Sequence, residues 1–327
     1  SCAPISVCAP FHRGSVVALA FSHCSHKLVS LGVHGRMALW CSTSGLWNDI
    51  ERRASANTPN TASSRVLFVQ FCSHLRSTEF EIATGGLGHV TFWNSKLEPQ
   101  KAVYCKNPIA PMLCGAILSN HLVCGSFTGK IYKFHPGTRQ CVRVVDAHNG
   151  SVNSMFSIPD GSCLVSGAKC GSVIVWNADL SVRAKYDLLR IPESIVPILP
   201  EVRSVCMNEF GVVIAGTSSS DVYQLFGQNK SSQLLQAHFE GELRGLSAHP
   251  VDSKLFATSG DDKTVRIWNS STKKLITMQK LDMPSRACTF SNCGSRIVCG
   301  FGAKSDTGGT TKNGAYVVFE SKDTTLV

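Results

Sequence analysis

Residues 237–250 read Ala-His-Phe-Glu-Gly-Glu-Leu-Arg-Gly-Leu-Ser-Ala-His-Pro, and residues 259–269 read Ser-Gly-Asp-Asp-Lys-Thr-Val-Arg-Ile-Trp-Asn. The stretch from 237 to 269 parses as a strand, a turn, a second strand, an Asp-rich tight turn and a third strand that ends at Trp268. Apolar residues alternate or cluster over strand-sized lengths, and turn-forming residues bound each run. The third-strand ending recurs at Trp40, Trp93, Phe134 and Trp176, and weaker versions finish near Leu225 and Val318. Successive steps between these marks are 53, 41, 42, 49, 43 and 50 residues.

Each unit also opens on an apolar strand: Val16–Phe21, Val66–Phe71, Met112–Leu118, Val152–Ile158, Val202–Met207, Leu243–Ala248 and Ala287–Phe290. A second strand follows each: Leu28–Leu31, Ile82–Thr84, Leu122–Cys124, Leu164–Ser166, Val212–Ala215, Leu255–Thr258 and Ile297–Cys299. A period near 40–45 residues with a Trp-ended third strand is that of WD repeats. Helical periodicity is almost absent. The expected fold is therefore all-β, a seven-bladed WD-repeat β-propeller spanning residues 1–327 as a single domain, with blades ending near Trp40, Trp93, Phe134, Trp176, Leu225, Trp268 and Val318. The length of 327 residues would by itself suggest two domains, but the repeat count favours one ring. Residues Pro4–Ala9 are expected to supply the outer strand of the last blade. The chain starts at Ser1 rather than Met, so it is read as a segment of a longer protein.

In WD repeats four side chains hydrogen-bond together: a His before the first strand, a Ser or Thr on the second, an Asp in the tight turn and the Trp of the third. The sixth unit holds the full set, His238, Thr258, Asp262 and Trp268. The fourth has His148, Ser166 and Trp176, with Cys170 where Asp belongs. His34, Leu87 and Thr128 replace the Asp in the first three. A buried, satisfied network of this kind stiffens a blade and carries no chemistry.

Composition narrows the function. Apolar residues make up 43% and charged residues 17%, which describes a folded chain. No apolar run approaches the length of a membrane-spanning helix, and no membrane partner is expected. Net charge is +10, concentrated in residues 101–150, with six basic residues to one acidic, and 251–300, with eight to four. An acidic partner suits this field. Aromatics are not interleaved with the basic residues as a base-stacking platform requires, so nucleic acid is not favoured. The 15 cysteines form no Cys-x-x-Cys pair, and many, such as Cys114, Cys124, Cys206 and Cys299, lie in apolar runs. They read as buried free thiols in a reducing compartment.

No catalytic constellation emerges. There is no Gly-x-Ser-x-Gly elbow, and Gly-Ser-Phe-Thr-Gly-Lys at 125–130 is one residue short of a phosphate loop and continues with Ile131. His23, Cys24 and His26 come nearest to a metal set but lack a partner pair. The chain is read as a non-enzyme with no cofactor, no metal and no small-molecule substrate.

Three segments interrupt the regular spacing, and loops on a rigid scaffold carry binding. Glu51–Ser64 reads as a polar connector. Asp187–Glu201 holds Pro192, Pro197 and Pro200 among Ile and Leu, and either docks a neighbouring domain or folds back on its own blade. Ala303–Gly314 reads as a long Gly- and Thr-rich tip. Among loop-associated basic residues, Arg139, Arg143, Lys273, Lys274 and Lys280 are the candidates for contacting a partner.

The run Glu242-Leu243-Arg244-Gly245-Leu246-Ser247-Ala248-His249-Pro250 resembles the Glu-Leu-Trp-Gly-Leu-Ala-x-His-Pro run of echinoderm microtubule-associated protein-like proteins. Ala147–Val152 with Ile174–Trp176 and Asp179-Leu180 is similar to the family's Ala-His-Asp-Gly-Ser-Val blade. Val202–Val205 followed by Gly216–Ser218 resembles the next blade, and Gly314–Val318 with Thr324–Val327 the close of the first propeller. Family members carry two packed propellers and an N-terminal coiled coil; the seven units here correspond to the first propeller. The resemblance implies a non-enzymatic cytoskeletal scaffold, cytoplasmic, that binds tubulin or microtubules and other proteins. The insert at 187–201 is longer than the family pattern leads one to expect. The alternative is a general WD-repeat adaptor that captures a peptide of a signalling or ubiquitin-linked partner on one ring face.

Overall fold

Short runs rich in Val, Ile, Leu and aromatics, separated by Gly, Asn and Ser turns, have little choice but to pair as antiparallel hairpins. In the computed structural model they do so as seven four-stranded sheets, each a meander with its strands hydrogen-bonded in chain order. The chain is a seven-bladed WD-repeat β-propeller by fold class. The structure describes residues 11–44, 50–58, 65–72, 80–104, 110–158, 160–191, 200–227, 231–235, 237–238, 241–301, 315–322 and 325–326. Among them the one helical turn is Leu188–Arg190, and no helix is long and apolar enough to cross a membrane.

The first strands are Val16–Phe21, Val66–Phe71, Met112–Leu118, Val152–Ser157, Val202–Met207, Leu243–Ala248 and Ser285–Phe290. The aromatic or aliphatic marks all fall on third strands: Trp40 in Arg36–Ser42, Trp93 in His89–Asn94, Phe134 at the end of Lys130–Phe134, Trp176 in Ser172–Asn177, Leu225 at the end of Val222–Leu225, Trp268 in Thr264–Asn269 and Val318 in Ala315–Lys322. Two irregularities repeat from blade to blade. The ladder slips at the start of the first strand, as at Val16/Ala18, Val66/Phe68, Val152/Ser154, Leu243/Gly245 and Ser285/Ala287. It slips again beside the Trp, at Leu39/Trp40, Val175/Trp176 and Ile267/Trp268. Bulges increase local twist, and the blades that share a bulge share that added twist.

By packing, the chain divides into two compact units: residues 1–188, 202–215 and 225–229, and residues 189–201, 216–224 and 230–327. In the first, the core lies between successive sheets. Leu31, Met37 and Leu39 meet Val69, Ile82 and Trp93. Phe68, Phe92 and Val90 meet Met112, Leu122 and Phe134. Cys114, Leu118 and Ile131 meet Val152, Leu164 and Trp176. In the second unit Ala257, Val265 and Ile267 pack on Cys288, Phe290, Ile297 and Cys299. Each fully buried Leu, Ile or Phe contributes about 2–3 kcal/mol.

Several expectations are corrected. Glu51–Ser64 is not simply a connector. Ile50–Asn57 is the fourth strand of the first sheet, paired with Arg36–Ser42. Its exposed face is polar, and only Ala54 and Ala56 pack inward, so one side of the strand carries no apolar signal. Residues 59–64 lie outside the described residues. The fourth strands Cys141–Asp146 and Lys274–Lys280 likewise place Arg143, Lys274 and Lys280 on strands rather than loops. Cys206 is exposed, because Val202, Val205 and Met207 take the inward positions of its strand. Cys114, Cys124 and Cys299 are buried, and the thiols of Cys24 and Cys293 are exposed. At the start of the apolar insert Leu188 is buried and its N–H donates to Gly171 O at 3.1 Å; residues 192–199 lie outside the described residues. So do Pro4–Ala9 and the 303–314 tip, and the fourth strand described for the seventh sheet is Thr325–Leu326.

Candidate functional site: polar networks and basic residues

The sixth blade holds a continuous hydrogen-bonded chain. Trp268 Nε1 donates to Thr258 Oγ1 at 2.6 Å, Thr258 Oγ1 lies 2.8 Å from His238 Nε2, and His238 Nδ1 lies 2.9 Å from Asp262 Oδ2. All four groups are satisfied when Nδ1 carries the imidazole proton and the Thr hydroxyl donates to Nε2. Asp262 also accepts from Thr264 N at 3.1 Å, Thr264 Oγ1 at 2.9 Å and Arg266 Nη2 at 3.1 Å. Burial pushes its carboxyl up, but the bond to His238 and the charges around it hold it below the usual carboxylate range.

In the fourth blade Trp176 Nε1 donates to Ser166 Oγ at 2.8 Å, and Ser166 Oγ is 2.8 Å from His148 Nε2. The partner of His148 Nδ1 is Ser172 Oγ at 2.6 Å, with Cys170 Sγ only a neighbour of that hydroxyl at 3.0 Å. Ser172 stands at the place of Thr264 in the sixth blade, two residues past the tight-turn position. The first blade carries a third network: Trp40 Nε1 donates to Ser30 Oγ at 2.8 Å, and His12 Nε2 lies 2.7 Å from it. His12 is missing from the sequence reading although its signal is present. The His-to-Ser and Ser-to-Trp separations, 18 and 10 residues, equal those of the fourth blade. In the second blade Trp93 Nε1 donates to Thr84 Oγ1 at 2.9 Å.

Asp221 feels the charge of the sixth blade's Arg266. Arg266 is buried, and Asp221, also buried, has its Oδ2 without a hydrogen-bond partner. Burial raises the Asp221 carboxyl to about 6, against the pull of Ser219 and Arg266. The folded chain therefore keeps this proton up to about pH 6, whereas the unfolded chain releases it near 3.8. Between those values the folded state binds more protons, and rising pH lowers stability. His148 acts in reverse. Burial, aided by Lys185, lowers it from 6.5 to about 4, so the unfolded state binds more protons in that interval and falling pH lowers stability. Each contributes on the order of 2–3 kcal/mol across its interval. Asp221→Asn removes one side of this opposition. Urea unfolding from pH 7 to 4 is expected to show the variant gaining about 2 kcal/mol on the wild type as pH rises. Parallel curves for the two proteins would refute the assignment.

The basic candidates are divided between the two units. In the first unit, Arg139 occupies a turn with φ 61°, donates from Nη1 to Gln100 Oε1 at 2.9 Å, and accepts from Val103 N at its carbonyl at 2.8 Å. Arg143 Nη1 donates to the Asp179 carbonyl, and Lys133 Nζ to that of Ala178 at 3.0 Å. These cations bind neighbouring turns of their own unit. In the second unit Lys273, with φ 57°, and Lys274 are adjacent and exposed. Lys280 lies at the other end of strand Lys274–Lys280, about 20 Å away at the rise of a strand. Among the described residues no three His, Cys, Asp or Glu side chains are placed to hold a metal ion.

Residues 139–177 and 229–269 match the family described as WD domain, G-beta repeat. The chain is similar to echinoderm microtubule-associated protein-like 2 of Mus musculus, with 28% identity over 225 residues, 67% of this chain and 33% of the relative. It is similar to the 77 kDa echinoderm microtubule-associated protein of Strongylocentrotus purpuratus, with 26% identity over 296 residues, 89% of this chain and 41% of the relative. Echinoderm microtubule-associated protein-like 1 of Homo sapiens is 25% identical over 288 residues, 86% of this chain and 32% of the relative. The chain thus spans between a third and two-fifths of the length of these relatives, all three of which are microtubule-associated proteins by name.

Proposed function

We propose that residues 1–327 close as a single propeller equivalent to the first propeller of the echinoderm microtubule-associated protein-like proteins, and that it serves as a non-enzymatic scaffold on tubulin or microtubules in the cytoplasm. One observation carries this reading: similarity over 67–89% of the chain to relatives named for microtubule association. The net charge of +10 supports it, since a positive field steers an acidic partner into contact. Of the candidate residues, Lys273 and Lys274 are the pair best placed to touch that partner, being adjacent and exposed.

The test is co-sedimentation with microtubules and binding to tubulin dimers at low and high salt. Binding is expected to saturate and to weaken as salt screens the charges. The double variant Lys273→Glu/Lys274→Glu is expected to lose about tenfold in affinity, roughly 1.4 kcal/mol. Absence of binding to either form would overturn the reading for this domain and favour the peptide-capturing adaptor.

A further inference from the structure

We propose that a cleft on the first sheet, lined by Arg13, Arg36, Ser55, Ala56 and Asn57, binds the carboxylate side chains of an acidic peptide segment on a partner protein. The cleft has a volume of 350 Å³, at the small end of the roughly 300–1,000 Å³ of ligand sites. All five lining residues belong to the first unit.

Strand register and turn geometry build it. Asn57 stands directly across the ladder from Arg36, and Ser55 across from Ala38. Thr58 fastens the end of that strand to the tight turn by donating both its N–H and its hydroxyl to Gly35 O at 2.7 Å. On the other side, Val33 N donates to Ser15 O at 2.8 Å. Gly14, at φ 88°, lets the chain turn there, and a Cβ would come within 3.1 Å of Val33. Arg13 and Arg36, 23 residues apart in sequence, thereby line the same opening. The Arg36 guanidinium lies 4.0 Å from the Phe11 ring centroid and donates to Phe11 O at 3.4 Å. Arg52 lies over the same ring at 4.6 Å.

Among the described residues this rim holds no acid. In the sixth blade Asp262 occupies the tight turn and neutralises Arg266. In the first blade that position is His34. Among the described residues no carboxylate pairs with Arg13 or Arg36, and Glu51 at the far end of the strand pairs with Arg53. The field of Arg13, Arg36 and Arg52 favours a carboxylate ligand. Carboxylate suits the donors better than phosphate. Phosphate sites gather backbone N–H groups, but those of Val33, Gly35 and Thr58 are already bonded to Ser15 O, Gly32 O and Gly35 O. Planar guanidinium forks remain, which grip carboxylate and phosphate alike two bonds at a time, so the preference for carboxylate rests on these occupied backbone donors.

Fluorescence anisotropy of a labelled glutamate-rich peptide with the full chain tests this. Arg13→Glu and Arg36→Glu are each expected to weaken binding about tenfold or more. Arg36→Lys, which keeps the charge but not the fork, should fall between them and wild type, and Lys185→Glu, exposed on the fourth sheet of the same unit, should leave binding unchanged. Arg13 is exposed, so Arg13→Glu reports even if the loss of the Phe11 contact unfolds Arg36→Glu. Wild-type affinity in folded Arg13→Glu would overturn the proposal. So would tighter binding of a phosphoserine peptide of equal charge, or equal competition by an oligonucleotide. The readout does not involve tubulin, so failure here and failure of microtubule binding are separable.

Discussion

Asp262→Ala is expected to cost about 3–5 kcal/mol, the loss typical when one partner of a buried ion pair is removed. The side chains of Asp262 and Arg266 are 0% and 2% exposed. Deleting the carboxylate strands the guanidinium, which keeps its bond from Nε to Thr264 Oγ1 at 3.0 Å and the field of Asp221. It also leaves two donors of Thr264 without their acceptor, and His238 Nδ1 with only the longer contact to Thr264 Oγ1 at 3.3 Å. Arg266→Met should cost less, because the volume stays and the stranded Asp262 carboxylate still accepts from His238 and Thr264. Urea unfolding midpoints, compared at an unchanged m-value, measure both. A loss below about 1 kcal/mol in Asp262→Ala, the range of an exposed pair, would mean that the pair is not buried in solution.

The second large effect concerns how adjacent blades approach each other in the first unit. Phe68 is nearly buried, and its ring lies against two glycines. A Cβ on Gly85 would sit 2.3 Å from the ring, and one on Gly115 also 2.3 Å. Gly85 is on the second strand of the same sheet, and Gly115 is on the first strand of the next sheet. Phe68→Ala is expected to cost about 3–5 kcal/mol through lost transfer energy and the cavity left behind. Gly115→Ala alone should cost about 1–3 kcal/mol by overpacking. Combined, the two changes should cost less than their sum, since the added methyl enters space the ring has vacated. Simple additivity in thermal or urea unfolding would show that ring and glycine are not in contact.

These two cases differ in how far they could be read without coordinates. Asp262 follows from spacing: six residues before Trp268, with a Thr ten before the Trp and a His twenty before the Thr. The first blade follows the fourth blade's spacing, a His eighteen before the Ser, through His12, Ser30 and Trp40, and it is overlooked because the blade's tight-turn position holds His34 instead of Asp. Ser172 is missed for a related reason. Cys170 occupies the sequence position of the acid, but the hydroxyl two residues on is the one that reaches His148. The fourth strand of the first sheet escapes notice because its exposed face is polar, as Glu51, Arg53, Ser55 and Asn57 illustrate. Arg139 and Arg143 look like free loop cations in sequence; only folding shows that Gln100 and the Asp179 carbonyl already hold them.

The sequence by itself determined the repeat, the strand content and the residues of the sixth blade's network. Those depend on hydrophobic alternation, turn chemistry and fixed spacings within one blade, all of which are local along the chain. Tertiary structure decided which polar side chains are spent inside the protein and which remain for a partner. That division depends on ladder register and on which turns meet across neighbouring sheets. Arg13, Arg36 and Asn57 share a cleft only because strand pairing brings three separate segments together, and no spacing rule along the chain encodes their proximity.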